Sequence, residues 1–273
     1  MPLPITPSQK SLLDSFRCLR LSQDDRLLSW VSDFRNVKNE NLVDYLQGDA
    51  FADDADGRVA CYVVLDPKDE IICYFSLKTG ILYSEFEELT LYEQFKKLKS
   101  RYIELEDNNH DEQTRKIIAK LGRQLDKTRD AIIKKLGNFD TLPAHKHVST
   151  SYSAVELSHF CVNEAYRAKW TSLGFGRHNR IGLNIFWHII YPKIIAIRNL
   201  IGCEYLYLFA ADSTPDNYLV NHYTNFMGFR EDMDVLAIQP MYDFRCIFLC
   251  NKIDSFAEHR DSFYLHFNEN PMF

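Results

Sequence analysis

The sequence has no apolar run long enough to cross a membrane. Its longest apolar-rich region, Ile181 to Ile197, is broken by Asn184, His188, Pro192 and Lys193, whereas a spanning helix needs ~20 mostly apolar residues. No signal-type start is visible, because Met1-Pro2-Leu3-Pro4-Ile5-Thr6-Pro7 carries no basic segment leading into an apolar one. There is no basic excess. A formal charge of −6 argues against a general nucleic-acid coat, since phosphate contact needs a cationic surface. It does not exclude one local basic groove. No C-x-x-C pair occurs among the seven cysteines, Cys18, Cys61, Cys73, Cys161, Cys203, Cys246 and Cys250. An odd, scattered set with several members in apolar runs reads as buried free thiols in a reducing cytoplasm, not as disulfides or a zinc site. Internal repeats and low-complexity segments are also lacking.

What remains is an ordinary soluble globular composition of 46% hydrophobic and 26% charged residues, with 15 Tyr and 19 Phe to build an aromatic core. The length permits one large domain or two small ones. Residues 10–35 read as amphipathic helix through Leu12, Leu13, Phe16, Leu19, Leu27, Leu28 and Val31, broken at Ser22-Gln23-Asp24-Asp25. Asn39 is placed to cap a helix carrying Leu42, Val43, Leu46 and Phe51. Two strands follow, Val59 to Leu65 and Ile71 to Leu77, joined by a turn at Asp66-Pro67-Lys68-Asp69.

Residues 84–137 then change character. Two helical stripes, Phe86 to Leu105 and Ile117 to Leu136, flank the polar turn Asp107-Asn108-Asn109-His110-Asp111. This predicts a helical hairpin with arms on the order of 30 Å at ~1.5 Å per residue. Its 12 Lys+Arg against 11 Asp+Glu make it a mixed-charge solvated element, not a basic arm. As an insertion it would pack on the domain, dimerise, or bind a protein partner. The loop after it holds His145 and His147, but no third ligand stands at suitable spacing, so no metal is expected.

The centre of the chain runs from Ala154 to Phe229. Strand Val155 to Val162 is followed by a basic, glycine-containing turn ending Arg177-His178-Asn179-Arg180-Ile181-Gly182. Then come a helix from about Leu183 to Leu200, an apolar strand from Glu204 to Ala210, and a second helix, Tyr218 to Asn225, before Met227-Gly228-Phe229. Residues 232–238 and 244–253 read as two closing strands that pair antiparallel, and 255–267 as a short helix. Glu156 and His159, three apart on one strand, should face opposite sides of the sheet.

This order of elements resembles the GNAT superfamily of N-acetyltransferases. Its first half, a Leu-rich helix before a strand pair ending Tyr-Phe-Ser-Leu, resembles the branch of bacterial toxin acetyltransferases. The resemblance covers 34–83 and 148–253. It implies a single GNAT-like α/β domain over 1–273, a bent central sheet flanked by helices, with 84–137 as a helical-hairpin insertion. The superfamily holds the pyrophosphate of coenzyme A in a turn written R/Q-x-x-G-x-G/A, where amides at a helix start face the phosphates. Here Arg177 and Gly182 match, and Arg180 stands where the middle glycine belongs. A second register, Thr171-Ser172-Leu173-Gly174-Phe175-Gly176, keeps both glycines but loses the Arg or Gln.

By the same resemblance Phe160, Cys161 and Val162 lie where the first central strand splays from the second to admit the pantetheine arm. Arg177, Arg180, Ile181 and Gly182 would hold the phosphates, and Asn217 and Asn221 would contact the coenzyme from the second helix. Tyr223 falls where the family has a phenol that protonates the departing thiolate, and Glu156 is the candidate base. Cys161 has no His or Asp partner to make it a nucleophile. The implied activity is transfer of acetyl from acetyl-CoA to a primary amine, on a small molecule or protein, by direct attack in a ternary complex. Two alternatives stay open: toxin-like acetylation of aminoacyl-tRNA, which the acidic charge disfavours, and a non-catalytic scaffold that presents the hairpin to a partner. No membrane association is expected.

Overall fold

The computed structural model describes residues 5–85, 87–106, 112–136, 148–175, 180–211, 214, 216–231, 233–238 and 246–268. The chain forms two compact units. One comprises Met1–Leu82, Tyr152–Met233 and Ala237–Phe273, the other Tyr83–Ser151 and Asp234–Leu236. No helix among the described residues is long and apolar enough to cross a membrane.

The elements run α1 (Pro7–Asp14), β1 (Arg17–Arg20), α2 (Arg26–Val31), α3 (Glu40–Gln47), α4 (Ala50–Ala55), β2 (Ala60–Leu65), β3 (Ile71–Glu85), α5 (Glu87–Glu106), α6 (Glu112–Leu136), β4 (Val148–Val162) and α7 (Tyr166–Ser172). A long helical run follows, built of α8 (Ile181–Ile185), a π-helical turn (Phe186–Ile190) and α9 (Tyr191–Ile201). Last come β5 (Tyr205–Ala211), α10 (Tyr218–Met227), β6 (Leu236–Ala237), β7 (Cys246–Lys252) and α11 (Ser255–Asn268).

The strands form one mixed sheet in the order β1-β2-β3-β4-β5-β7, with β6 beside β3. β1 pairs antiparallel with β2, β2 with β3, and β5 with β7. β4 and β5 are parallel. Helices cover both faces, which is the mixed α/β architecture implied by the resemblance. Alternation along β2 shows the two-sided burial directly. Val64 faces one core with α1, α7, the long helical run, α10 and α11, while Cys61, Val63 and Leu65 face a second core with α2, α3 and α4.

Three sequence expectations need correction. Residues 17–20 form an edge strand, not part of a helix. The apolar positions there fit either period over so short a stretch, and four register pairs with β2 decide it. The two closing strands do not pair with each other, since β7 joins β5 and the two-residue β6 joins β3. The helix expected from 183 to 200 carries a π turn just before Pro192. Proline has no N–H and crowds the carbonyl one turn back, and a π-helical turn re-spaces the ladder at that point. In the second unit, α5 and α6 pack on each other, with Gly122 against the ring of Tyr102. Leu121 and Ile132 of the predicted stripe are buried and Ile117 is exposed.

β3 holds a glycine with a steric reason. A Cβ on Gly80 would lie 2.2 Å from the Tyr207 hydroxyl and 2.4 Å from its ring. That ring comes from β5, and its hydroxyl donates to Glu156 Oε2 on β4 at 2.9 Å. The three strands are locked by a contact that only glycine admits. Gly80→Ala should therefore destabilise the protein by about 1–3 kcal/mol, through overpacking and loss of the buried hydrogen bond. Urea unfolding followed by circular dichroism checks this, and an unchanged midpoint would contradict it.

Candidate active site

The site begins where two strands separate. β4 and β5 pair in register at Ala154↔Tyr205, Val155↔Leu206 and Glu156↔Tyr207, and the ladder ends there. β5 continues to Ala211, held on its other edge by β7 through Leu208↔Leu249, Phe209↔Phe248, Ala210↔Ile247 and Ala211↔Cys246. β4 also continues, but its phase changes. Val155 and Leu157 belong to the first core, and Phe160 and Val162 pack against that same core, while Cys161 belongs to the second. Side chains on one face of a strand recur every second residue, so the step of three from Leu157 to Phe160 marks one extra residue, a β-bulge. This corrects the expectation for Glu156 and His159. With the extra residue between them, both face the second core, on the side of α3.

The opening is a cavity of about 590 Å³ lined by Leu157–Phe160 on one strand and Leu208–Ala211 on the other. Leu219 and Tyr223 of α10 and Cys246 of β7 add to the wall, and Val37 to Leu42 with Tyr45 close the α3 side. Residues 208–211 thus have β7 on one edge and the cavity on the other. An extended ligand arm can lie there as a strand would.

Tyr223 reaches the cavity from a rigid base. α10 ends at Gly228, whose φ of +84° is the left-handed conformation glycine allows, and a Cβ there would meet the His259 ring at 3.0 Å. The turn brings the Phe229 N–H to the Tyr223 carbonyl at 3.2 Å. The Phe229 ring packs edge-on against Tyr223 and joins Phe186 and Phe256 in the core. Among the described residues the Tyr223 hydroxyl has no hydrogen-bond partner, and it is not sealed off, so it opens on the cavity its ring lines. Burial pushes its pKa up, with Cys161 nearby adding to the effect. The phenol is therefore protonated at neutral pH.

Two other groups stand on either side of the bulge in sequence, Glu156 and His159. Glu156 is 7% exposed. Its Oε1 accepts from Ser158 Oγ at 3.0 Å and its Oε2 from Tyr207 at 2.9 Å. Ser158 lines the cavity, whereas Glu156 does not. His159 does line it, with Nδ1 bonded to Ser76 Oγ at 2.7 Å. Its ring stacks on Tyr45, centroids 3.9 Å apart and 16° from parallel. Burial pushes its pKa down to about 4, against a smaller upward pull from Asp53.

Arg180, Ile181 and Gly182 of the remaining expected residues stand at the start of the long helix. Gly182 rests on Phe160 and Val162, so the helix start sits over the end of β4. Arg180 is the residue before Ile181, with extended backbone and no side-chain cap on the first turn. Its guanidinium lies over the rings of Tyr218 (5.3 Å) and Phe226 (5.8 Å), with Nη1 3.3 Å from His222 Nδ1. Burial, then the Arg180 charge, lower the His222 pKa to about 4. Ile181 is buried. Cys161 is buried, and its thiol is pushed up to about 12, which leaves no thiolate for nucleophilic chemistry. Asn217 takes left-handed backbone before α10, and the Asn221 amide donates to the Asp216 carbonyl at 2.9 Å. Both serve the helix start and neither lines the cavity. Arg177, His145 and His147 lie outside the described residues. Among the described residues, no three His, Cys, Asp or Glu side chains converge as a metal site.

His159 and His222 tie the site to pH. Each has a folded pKa near 4 against ~6.5 unfolded. The unfolded chain therefore binds more protons between those values, and stability falls as pH drops from about 6.5 to 4. Melting temperature should decline over that window, and less steeply in His159→Phe. Parallel curves for the two proteins would remove His159 from the account.

No protein-family model matches the chain, and no curated protein matches it. Among solved structures it is similar to a tyrosine-to-phenylalanine mutant of the AtaT toxin bound to the C-terminus of the antitoxin AtaR and acetyl-CoA. That likeness has 9% identity and a TM-score of 0.46, over 90% of this chain and 98% of that one. A tyrosine-to-phenylalanine mutant of KacT matches over 89% of this chain and 98% of that one, at 10% identity and a TM-score of 0.45. AtaT complexed with acetyl-methionyl-tRNAfMet gives the same coverage and identity, with a TM-score of 0.41. At such distance these are likenesses of outline.

Proposed function

We propose that this chain is an acyltransferase that moves an acetyl group from acetyl-CoA to a primary amine. The observation that carries the reading is the parted strand pair, with its cavity entered by the free hydroxyl of Tyr223. The pantetheine arm would lie between β4 and β5, bonding to the open edge at 208–211 and passing Phe160, Cys161 and Val162. The pyrophosphate would meet the uncapped first turn at Ile181 and Gly182. There the helix amides and dipole favour an anion, and Arg180 and Arg177 add charge. Asn217 and Asn221, at the start of α10, would contact the coenzyme from that helix.

Chemistry then follows from position. The thioester carbon sits in the slot and the amine enters from the α3 side. Attack forms the C–N bond and breaks the C–S bond, and Tyr223 gives its proton to the departing sulfur. The phenol carries its proton at neutral pH, as tyrosine ordinarily does, and its place on the cavity wall suits it to this. Cys161 is excluded as a covalent carrier by its buried, protonated thiol. A cytoplasmic setting agrees with free thiols at all seven cysteines. In this reading 1–273 is one acyltransferase domain, and the α5–α6 pair is an insertion that packs, dimerises or meets a protein partner.

Titration calorimetry with acetyl-CoA tests the binding site. The chain should bind it, and Arg180→Ala should weaken binding about tenfold or more, the loss of a charge-assisted contact of ~1.5–3 kcal/mol. Absence of binding at millimolar ligand would favour the non-catalytic scaffold. Tyr223→Phe should leave binding intact and lower release of coenzyme A thiol to an amine by about 10²–10⁴-fold. Equal turnover would remove the acid assignment. Salt-sensitive binding of tRNA would move the acceptor toward aminoacyl-tRNA.

A further inference from the structure

The resemblance singles out Glu156 as base, but in the structure its carboxylate is hydrogen-bonded at both oxygens and does not line the cavity. Each accepts a hydroxyl proton, from Ser158 and from Tyr207, and the carboxylate stands behind the cavity wall. His159 is placed differently. The bulge turns it to the α3 side and into the cavity lining. Three contacts fix the ring. Nδ1 is held by Ser76, a fully buried residue on β3. One ring face is covered by Tyr45 of α3. Tyr45 is itself held at its far end, where its hydroxyl donates to Asp53 of α4 at 3.2 Å. One polar atom is left over. Among the described residues Nε2 has no partner, and it is not sealed from solvent, so it opens on the cavity that the ring lines.

The Tyr223 hydroxyl and His159 Nε2 are therefore unpaired polar tips on opposite sides of the slot: Tyr223 comes from α10, and the His159 ring, carried by β4, is turned against Tyr45 of α3. α10 packs on the first core and α3 on the second. A thioester between β4 and β5 would have one tip on each side.

We propose that His159 Nε2 accepts the proton of the attacking amine, as the catalytic base opposite Tyr223. The proposal rests on the acyltransferase reading above. As the amine nitrogen bonds to the thioester carbon, its proton passes to Nε2. As the carbon–sulfur bond breaks, the sulfur takes the Tyr223 proton. The imidazolium then loses its proton to water and the phenolate regains one, so the net change is amine plus thioester to amide plus thiol. The role requires the tautomer with its proton on Nδ1, donating to Ser76 Oγ. The other tautomer would satisfy Ser76 equally but would turn an N–H toward the amine. Because the ring is neutral at pH 7, its lone pair is available without prior deprotonation.

Two measurements decide it. In the nitrogen-15 spectrum of the full chain at pH 7, His159 Nε2 should show the unprotonated, pyridine-like signal and Nδ1 the protonated one. A proton on Nε2 would overturn the assignment whatever the protein's activity. The second measurement uses acetyl-CoA with glycinamide as the probe amine and follows coenzyme A release. His159→Phe keeps a ring against Tyr45. It should leave acetyl-CoA affinity unchanged and lower kcat by about 10²–10⁴-fold, and added imidazole should restore part of the rate in His159→Ala. Wild-type turnover in His159→Phe would overturn the base role and leave the acyltransferase reading standing. Failure of the wild-type chain to bind acetyl-CoA would overturn that reading itself, and the base role with it.

Discussion

A strand can leave its neighbour partway only if its backbone is supported elsewhere. Buried peptide groups without partners cost on the order of 1–3 kcal/mol each, so a split in the middle of a sheet is normally expensive. Here β5 is braced along its whole length by β7, with seven register pairs from Tyr205↔Lys252 to Ala211↔Cys246. One edge stays fully laddered while the other opens beyond Tyr207. The last joined pair is also the most heavily fastened. Glu156 and Tyr207 are opposite each other in register, their side chains are hydrogen-bonded, and the Tyr207 ring extends over Gly80 on the next strand. The opening is thus bounded by a three-strand clasp, and the bulge begins immediately after it.

What fills and borders the slot depends on the same frame. Tyr223 takes its position from α10, and α10 is seated on an aromatic cluster. Trp187, Phe186, Phe229 and Phe256 are all essentially buried, and the Trp187 indole N–H donates to the Phe226 carbonyl at 3.3 Å. Such interiors are close-packed and resist displacement, so the phenol is held by the fold. The π turn at Phe186–Ile190 lies inside this cluster. Its cause is local, the missing N–H of Pro192, but its effect is to set the phase of the bulky residues that support α10. Stability and site geometry are here one property of the first core.

Much of this was legible in the sequence, and the failures have physical reasons. The β2 and β5 strands stand out as short apolar runs rich in Val, Leu and Tyr, and the long helix as an apolar-rich stretch too long for a strand. Tyr223 stands before Gly228-Phe229 in the sequence, and the structure shows what that spacing does: glycine stops the helix in a left-handed turn, and phenylalanine folds back under the tyrosine. The bulge was invisible. One inserted residue leaves normal alternation on both sides, Val155 to Leu157 and Phe160 to Val162, and only shifts the phase between them. That single shift moved His159 to the face of Glu156 and hid the better base behind the more obvious carboxylate. β1 was lost because four residues cannot distinguish two periods. Gly80 carries no signal at all, since its constraint is a ring from a strand 127 residues later.

The altered phosphate turn has a basis in backbone geometry. Glycine in such a motif serves either a conformation that other residues avoid or a close approach that a Cβ would block. Arg180 has φ −66° and ψ 141°, an ordinary extended conformation, so the first need does not arise at that position. Its side chain is drawn aside onto the stripe Tyr218, His222 and Phe226, spaced four apart on one face of α10. The first turn of the helix is left without a side-chain cap, and its amides have no protein acceptor of that kind to compete with an anion. Gly182 is the converse case. A Cβ there would meet Phe160 and Val162 only at 3.5–3.7 Å, ordinary contact distances, so the protein's own packing does not require glycine. Under the proposed function, a ligand's approach to the helix start supplies the requirement at Gly182, and Arg180 supplies charge beside it. The substitution then changes how the phosphates are held without closing the place where they bind.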